Sequence, residues 1–312
     1  MSDQFKLRRA DEKDHEAIEE LIFHSTNDWY QKHFNKNIFG GDSTTCSIFT
    51  EVYEGLDPGC CLIAEDQQNG KIAGSCFFHP RDTHLSIGIM NAHPDYFGKG
   101  VAKMILDQII NIAFEKNLPV RLVSSAMNLD SFSLYTRRGF VPRMTFQDMI
   151  LDVPENGLLQ KPPEGIKLVR DATIDDIPQI AELEFELNGI KRKGDYEYFV
   201  KNDSGYWGVS VFESTSGKIE GFLCSINSNG SKMLGPGIMR DINHAESLIY
   251  HELDSRHRGN TPVFLIPVHE GELVKTLYQW GARNCEMHLC QVLGDCPPMN
   301  GITMPTFMPE TG

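Results

Sequence analysis

The chain has 312 residues, enough for two domains that each bury a core. Its composition, 40% hydrophobic and 23% charged, is that of a globular protein. No apolar run approaches the roughly 18–20 residues of a membrane span, so no membrane association is expected. A net charge of −14 repels phosphate backbones, which argues against a nucleic-acid partner, and favours the approach of a cation such as an amine. The charged opening stretch lacks the apolar segment of an export signal, so a cytoplasmic location is expected. The eight cysteines include no C-x-x-C pair. They are read as reduced, mostly buried thiols, with no metal site.

Lys6, Leu7, Arg8 and Arg9 open the chain as a short strand. Asp14, then Ala17, Ile18, Glu19, Glu20 and Leu21, follow as an acidic helix start and an amphipathic helix. Acidic residues there suit the positive end of the helix dipole. The same helical region carries His24, Ser25, Thr26, Trp29, Tyr30 and His33, where helical aromatics are more often core than pocket. Strands are expected at residues 60–65, 71–78 after a Gln-Asn-Gly turn, and 84–91. Residues 100–116 place Val101, Met104, Ile105, Ile109, Ile112 and Ala113 at helical spacing. An apolar strand at 119–123, a helix with Leu134 and Tyr135 ending at Gly139, and closing strands complete the first half. Antiparallel strands first and helix-linked strands later predict an α+β domain: a mixed, mostly antiparallel sheet flanked by helices.

The order then repeats. Lys167, Leu168, Val169 and Arg170, followed by Asp176 and Ile180, Ala181, Glu182 and Leu183, echo the start. Pro262, Val263, Phe264, Leu265 and Ile266, followed by Leu277, Tyr278 and Gly281, echo the strand and helix near Tyr135. Residues 153–165, VPENGLLQKPPEG, read as the linker, because proline blocks helix and central strand alike. Domains are therefore expected at 1–153 and 166–293, with a linker at 154–165 and a Pro-rich tail at 294–312. The tail shows no strand or helix pattern.

The sharpest feature is Asn91-Ala92-His93-Pro94-Asp95-Tyr96-Phe97-Gly98-Lys99-Gly100-Val101-Ala102. A strand ends, a proline turn follows, and Gly98 and Gly100 lead into a helix. Glycine lets backbone approach a ligand closely, and the first N–H groups of a helix lack internal partners. A pyrophosphate is their natural occupant. The segment is neither a P-loop nor a dinucleotide fingerprint, and alone it reads equally well as a tight strand-to-helix turn.

Downstream lies Asn128-Leu129-Asp130-Ser131-Phe132-Ser133-Leu134-Tyr135-Thr136-Arg137-Arg138-Gly139-Phe140. Together the two segments resemble the cofactor site of the GNAT superfamily of N-acyltransferases. The resemblance covers residues 5–152 closely, and the second half by order of elements only. It implies two tandem GNAT-like domains, with acetyl-CoA as acyl donor, no metal, and a primary amine of unidentified nature as acceptor. The [Q/R]-x-x-G-x-[G/A] loop falls on Phe97, Gly98, Lys99, Gly100, Val101 and Ala102. Phe97 replaces the usual Gln or Arg, at a position that acts largely through its backbone. Asn128 and Ser131 belong to the second part of the site.

The family's bulged strand implies that the Met90 N–H faces the thioester oxygen and that Ala92 pairs with the pantetheine arm. Tyr135 matches the tyrosine that protonates the leaving thiolate; its bland reading is a packed aromatic, supported by Tyr278 at the echo position. The position of the catalytic glutamate found in several members is Ser86 here. His84, two residues earlier, is the candidate base, against its reading as a partly exposed strand-end histidine. Asp241 and Glu246 occupy the corresponding region of the second half, which is read as having lost its cofactor loop. That half closes the acceptor pocket, forms the face of a homodimer, or stabilises the first. A tail ending in Pro-Thr-Phe-Met-Pro-Glu-Thr, residues 305–311, resembles that of tandem GNAT proteins and is expected to dock. The rival function is a non-catalytic acyl-CoA sensor or scaffold; a third reading is a protein-modifying acetyltransferase.

Overall fold

The computed structural model describes residues 4–306. These fall into two compact units, residues 4–80 with 84–120 and residues 81–83 with 121–306. Among the described residues no helix is long and apolar enough to cross a membrane. No group of His, Cys, Asp or Glu among them is gathered to hold a metal.

The first unit runs β1 (Phe5–Arg9), α1 (His15–Phe34), α2 (Ser47–Leu56), β2 (Cys61–Asp66), β3 (Ile72–Pro80), β4 (Leu85–Ala92) and α3 (Val101–Glu115). Its strands pair antiparallel in the order β1-β2-β3-β4. Helices cover both faces. A side chain at Gly74 would meet Val101 of α3, whereas Phe77, three positions along β3, stacks on Tyr53 of α2. Three positions of a strand take a side chain to the opposite face. Ile18, Leu21 and Ile22 of α1 and Val101, Ile105, Ile109 and Ala113 of α3 are buried, as their helical spacing predicts.

The second unit takes β5 (Val120–Ser125) apart from Val120, then α4 (Leu129–Thr136) and β6 (Val141–Ile150). It continues through β7 (Val169–Asp171), α5 (Ile177–Asn188), α6 (Lys193–Lys201), β8 (Trp207–Glu213), β9 (Ile219–Asn227) and β10 (Lys232–Met239). It closes with α7 (Ile242–Arg256), β11 (Val263–Pro267), α8 (Gly271–Gln279), β12 (Arg283–Leu293) and β13 (Ile302–Met304). Strand order is β5-β12-β6-β11-β10-β9-β8-β7, with β13 also on β10. β10 and β11 are parallel, while β6 is antiparallel to both of its neighbours. The sheet is mixed, and with its flanking helices the architecture is α+β, as the element order predicts. Because β6 is held by β11 and β12, the compact units divide before β5 and β6 rather than at the 154–165 linker.

The repeat extends to side chains. Arg8 donates to both carboxylate oxygens of Asp14 (2.6 and 2.8 Å) and to Glu65 (2.7 Å). Arg170 does the same with Asp176 (both 2.8 Å) and Glu213 (2.6 Å). In each unit the arginine holds the aspartate carboxyl below its ordinary value, and that aspartate accepts from a backbone N–H at the helix start.

Three sequence expectations change. The second half opens on a 3₁₀ turn at Glu164–Leu168, so Lys167 and Leu168 precede β7. One strand, β6, closes the first half. The tail is not patternless: Ile302–Met304 forms β13, antiparallel to β10. Its final residues, 307–312, lie outside the described ones. All eight cysteines are thiols, none in a disulfide, and Cys46, Cys61, Cys76, Cys224 and Cys290 are buried.

Candidate active site

β4 is irregular where a ligand-binding strand needs to be. Met90 pairs with Cys76 and Ile87 with Phe78, so Gly88 and Ile89 face the single residue Phe77. This bulge turns the last three residues, Met90, Asn91 and Ala92, relative to the rest of the strand. A 3₁₀ turn at Pro94–Tyr96 follows, capped by the His93 ring, which accepts from the Asp95 N–H (3.2 Å). The N–H groups of Phe97 and Lys99 turn inward to the carbonyls of Pro94 and Tyr96 (both 3.1 Å). Phe97 is 69% exposed, which leaves its aromatic ring no packing role.

Gly98 and Gly100 have φ of +75° and +83°, left-handed values that cost other residues about 1–2 kcal/mol. Neither would meet another atom through a Cβ, so conformation alone requires glycine. Gly100 is the N-cap of α3 and has no side chain to bond the helix amides; no acidic residue lies in the first turn. The N–H groups at Val101 and Ala102 therefore present an uncapped positive helix end. Gly74 is a further member that its place within an apolar run conceals. A Cβ there would lie 2.5 Å from Val101 Cγ1, so its absence lets α3 begin directly against the sheet.

Around β4 the first unit gathers polar groups. Asn91 Nδ2 donates to Ser25 Oγ (2.7 Å) and Thr26 Oγ1 (3.3 Å), tying the strand to α1. Trp29 and Tyr30 are half-buried and form an aromatic group with His33 and Phe34, so they are not the core residues that helical aromatics usually are. His84 is fully buried immediately before β4, a correction to its reading as partly exposed. Ser86 is also fully buried and pairs with His79 across β3. His79 Nδ1 meets Asp57 Oδ2 at 2.6 Å under the ring of Tyr53. This dyad escaped the sequence reading because its members lie 22 residues apart with no motif between them.

The second unit holds the remaining expected residues. Asn128 caps α4: its Oδ1 accepts from the Ser131 N–H (3.1 Å), and Ser131 Oγ donates back to the Asn128 carbonyl (2.9 Å). Tyr135, on the same helix, is buried beside Phe140, ring centroids 5.7 Å apart. Its echo Tyr278 is 48% exposed, so the two tyrosines do not share a packing role. At the end of β5, Ser125 Oγ donates to Glu286 (2.5 Å). Near it His288 Nδ1 meets Asp148 Oδ2 (2.8 Å), and burial raises the Asp148 carboxyl above its ordinary value.

The corresponding helix start in the second unit is built differently. Asp241 is the N-cap of α7, and its carboxylate accepts from the His244 N–H (3.1 Å). It lines a cleft of about 480 Å³ with Arg240, Ile242, Asn243, Glu270, Gly301 and Ile302. Arg240 is itself bound by Glu186 (2.7 and 2.5 Å) and Glu220. Two more carboxylates thus hold the one arginine that lines this cleft.

Residues 23–140 match the model of the Acetyltransferase (GNAT) family. The fold is similar to a putative acetyltransferase from Pyrococcus horikoshii (TM-score 0.71, 16% identity, covering 95% of this chain and 91% of that one). It is similar to a GCN5-related N-acetyltransferase from Sphaerobacter thermophilus (TM-score 0.61, 16% identity, 96% and 98% covered). It also resembles a tandem GNAT protein from the clavulanic acid biosynthesis pathway (TM-score 0.60, 11% identity, 93% and 98% covered). No curated protein matches the sequence significantly. Residues 23–140 thus carry the match to the acetyltransferase (GNAT) family, and the chain as a whole has a fold like that of a tandem GNAT protein.

Proposed function

We propose that the protein is an acetyl-CoA-dependent N-acyltransferase that acetylates a primary amine. One observation carries the reading: a bulged β4 runs through two left-handed glycines into an α3 whose N-terminus nothing caps. That arrangement supplies a strand for an amide-bearing arm and backbone amides for a pyrophosphate.

In this reading Met90 and Ala92 present backbone groups to the thioester and the pantetheine, and Gly98, Gly100, Val101 and Ala102 hold the pyrophosphate. Phe97 and Lys99 shape the turn. The amine nitrogen attacks the thioester carbonyl, and the Met90 N–H receives the developing oxyanion, a contribution of a few kcal/mol by analogy with other fixed donors. The C–S bond then breaks, and Tyr135 gives its phenolic proton to the thiolate. Asn128 and Ser131 fix the start of the helix that carries Tyr135. The proton of the attacking amine goes to a histidine, His84 or the Asp57-supported His79, since Ser86 has no basic group. Net charge of −14 favours a cationic acceptor.

Titration with acetyl-CoA by calorimetry, followed by a turnover assay over a panel of amines, tests the proposal. Binding without turnover on any amine or peptide N-terminus supports the sensor reading instead, which Ser86 in the glutamate position favours. Absence of binding refutes both.

A further inference from the structure

The second unit repeats the bulge of β4. In β10, Leu234 pairs with Ser225 and Gly237 with Leu223, so Gly235 and Pro236 face the single residue Cys224. A proline, lacking an N–H, is tolerated at such a bulge. Three residues follow before the strand ends, Gly237, Ile238 and Met239, just as Met90, Asn91 and Ala92 follow the bulge of β4. Before the bulge β10 pairs in parallel with β11, through Met233 with Val263 and Leu234 with Phe264. Beyond it β11 is no longer the partner. Instead β13 pairs antiparallel: Met304 with Gly237, Thr303 with Ile238, and Ile302 with Met239.

The tail strand is fitted closely. Ile302, Thr303, Met304 and Thr306 are all buried. A Cβ on Gly235 would lie 2.5 Å from the Pro305 carbonyl oxygen, and one on Gly301 would lie 2.6 Å from that of Met239. The Asn188 carboxamide ties the strand to α5. In the orientation that satisfies both of its ends, its oxygen accepts from Thr303 Oγ1 (2.8 Å) and its nitrogen donates to the Asn300 carbonyl (3.1 Å). The Asn300 N–H donates to the Leu187 carbonyl (2.9 Å).

We propose that residues 302–304 are the permanent occupant of the second unit's counterpart of the pantetheine wedge. The groove along Gly237, Ile238 and Met239 accepts an extended, amide-bearing segment, and the chain supplies that segment in cis. Asp241, whose carboxylate accepts from the His244 N–H at the start of α7, closes the pyrophosphate end of the same groove to anions. The protein accordingly has one acyl-CoA site and one strand-accepting site. This rests on the reading that β4 receives pantetheine beyond its own bulge.

The test inserts a site-specific protease sequence after Gly294 in the full chain and cuts it once folded. The fragment from Asp295 onward is expected to stay bound through gel filtration. It should exchange with a synthetic peptide of the same sequence, and saturating acetyl-CoA should not release it. In the uncut chain, hydrogen exchange should place the amides of residues 302–304 among the slow ones. Gly301→Val, with its left-handed backbone and its clash at Met239, should lead to loss of the cut fragment. Departure of the wild-type fragment on cutting, its displacement by acetyl-CoA, or fast exchange in the uncut tail each overturns the proposal. Failure of the first-unit reading appears separately, as an intact chain that binds no acetyl-CoA while the fragment is still retained.

Discussion

Gly74 and Val101 approach so closely that a methyl group on the glycine would sit 2.5 Å from Val101 Cγ1 and 2.9 Å from the Asn91 carbonyl oxygen. β3 thereby fixes where α3 begins, and with it the direction in which the α3 amides point. Gly74→Val should push α3 away from the sheet, at a cost of about 1–3 kcal/mol as in other overpacked cores. Thermal denaturation should show the loss of stability, and calorimetry should show weaker acetyl-CoA binding, although position 74 lies outside the glycine loop. Unchanged affinity in a folded Gly74→Val variant would mean that the helix start does not set the binding site.

At Gly100 conformation and charge act together. With φ of +83° and open space around a Cβ, Gly100→Ala should cost about 1–2 kcal/mol of backbone strain without a clash. Gly100→Glu adds a carboxylate at the uncapped N-terminus of α3, where it competes for the amides a pyrophosphate would use. Acetyl-CoA binding should weaken in the first variant and vanish in the second. Equal affinity in Gly100→Glu and wild type, measured by calorimetry, would remove the loop from the site.

Much of this was legible in the sequence, and the limits have physical causes. The α3 face reads from its spacing, and Gly98 and Gly100 read from their place before a helix, because both signals are local. The echo of the two halves reads as far as Arg8 and Arg170, since order along the chain preserves it. The bulge at Gly88 is implied only through the family resemblance and the one at Gly235 not at all, because register is set between strands and leaves no fixed mark in either one. The Asp57–His79 and Asp148–His288 pairs are likewise products of pairing over distance. The placement of β6 between β11 and β12 has no local signal at all. β13 was hidden by the prolines around it, although Ile302, Thr303 and Met304 are themselves strand-compatible.

Tyr135 separates a chemical role from a packing role. Its ring is buried beside Phe140, whereas the echo residue Tyr278 is half-exposed. Tyr135→Phe keeps the ring and removes only the hydroxyl. Turnover should fall, by up to about 10²-fold, because a thiolate leaves moderately well without a proton donor. Affinity for acetyl-CoA and thermal stability should change little. Full turnover in this variant would assign the proton to water and leave Tyr135 as part of the core.

His257, at the C-terminal end of α7, gives the fold a pH dependence of defined sign. The ring is fully buried, neither nitrogen has a hydrogen-bond partner, and burial lowers its pKa from 6.5 to about 4, helped by the positive charges of Arg256 and Lys232. The folded state therefore holds a neutral imidazole where the unfolded chain protonates near pH 6.5. Above that pH neither state is charged and the group contributes no pH dependence. Between pH 6.5 and about 4 the unfolded state binds the extra proton, and stability falls by about 3 kcal/mol in all; below that window the loss levels off. Carboxylates titrate partly in the same range, so the informative quantity is the difference between wild type and His257→Leu, which replaces the ring with an apolar side chain. The wild-type midpoint minus the variant midpoint, recorded from pH 7.5 to 4, should fall as the pH falls, because wild type loses stability faster than the variant. Parallel curves for the two proteins would show that His257 is hydrated or hydrogen-bonded in solution and does not govern the acid limb.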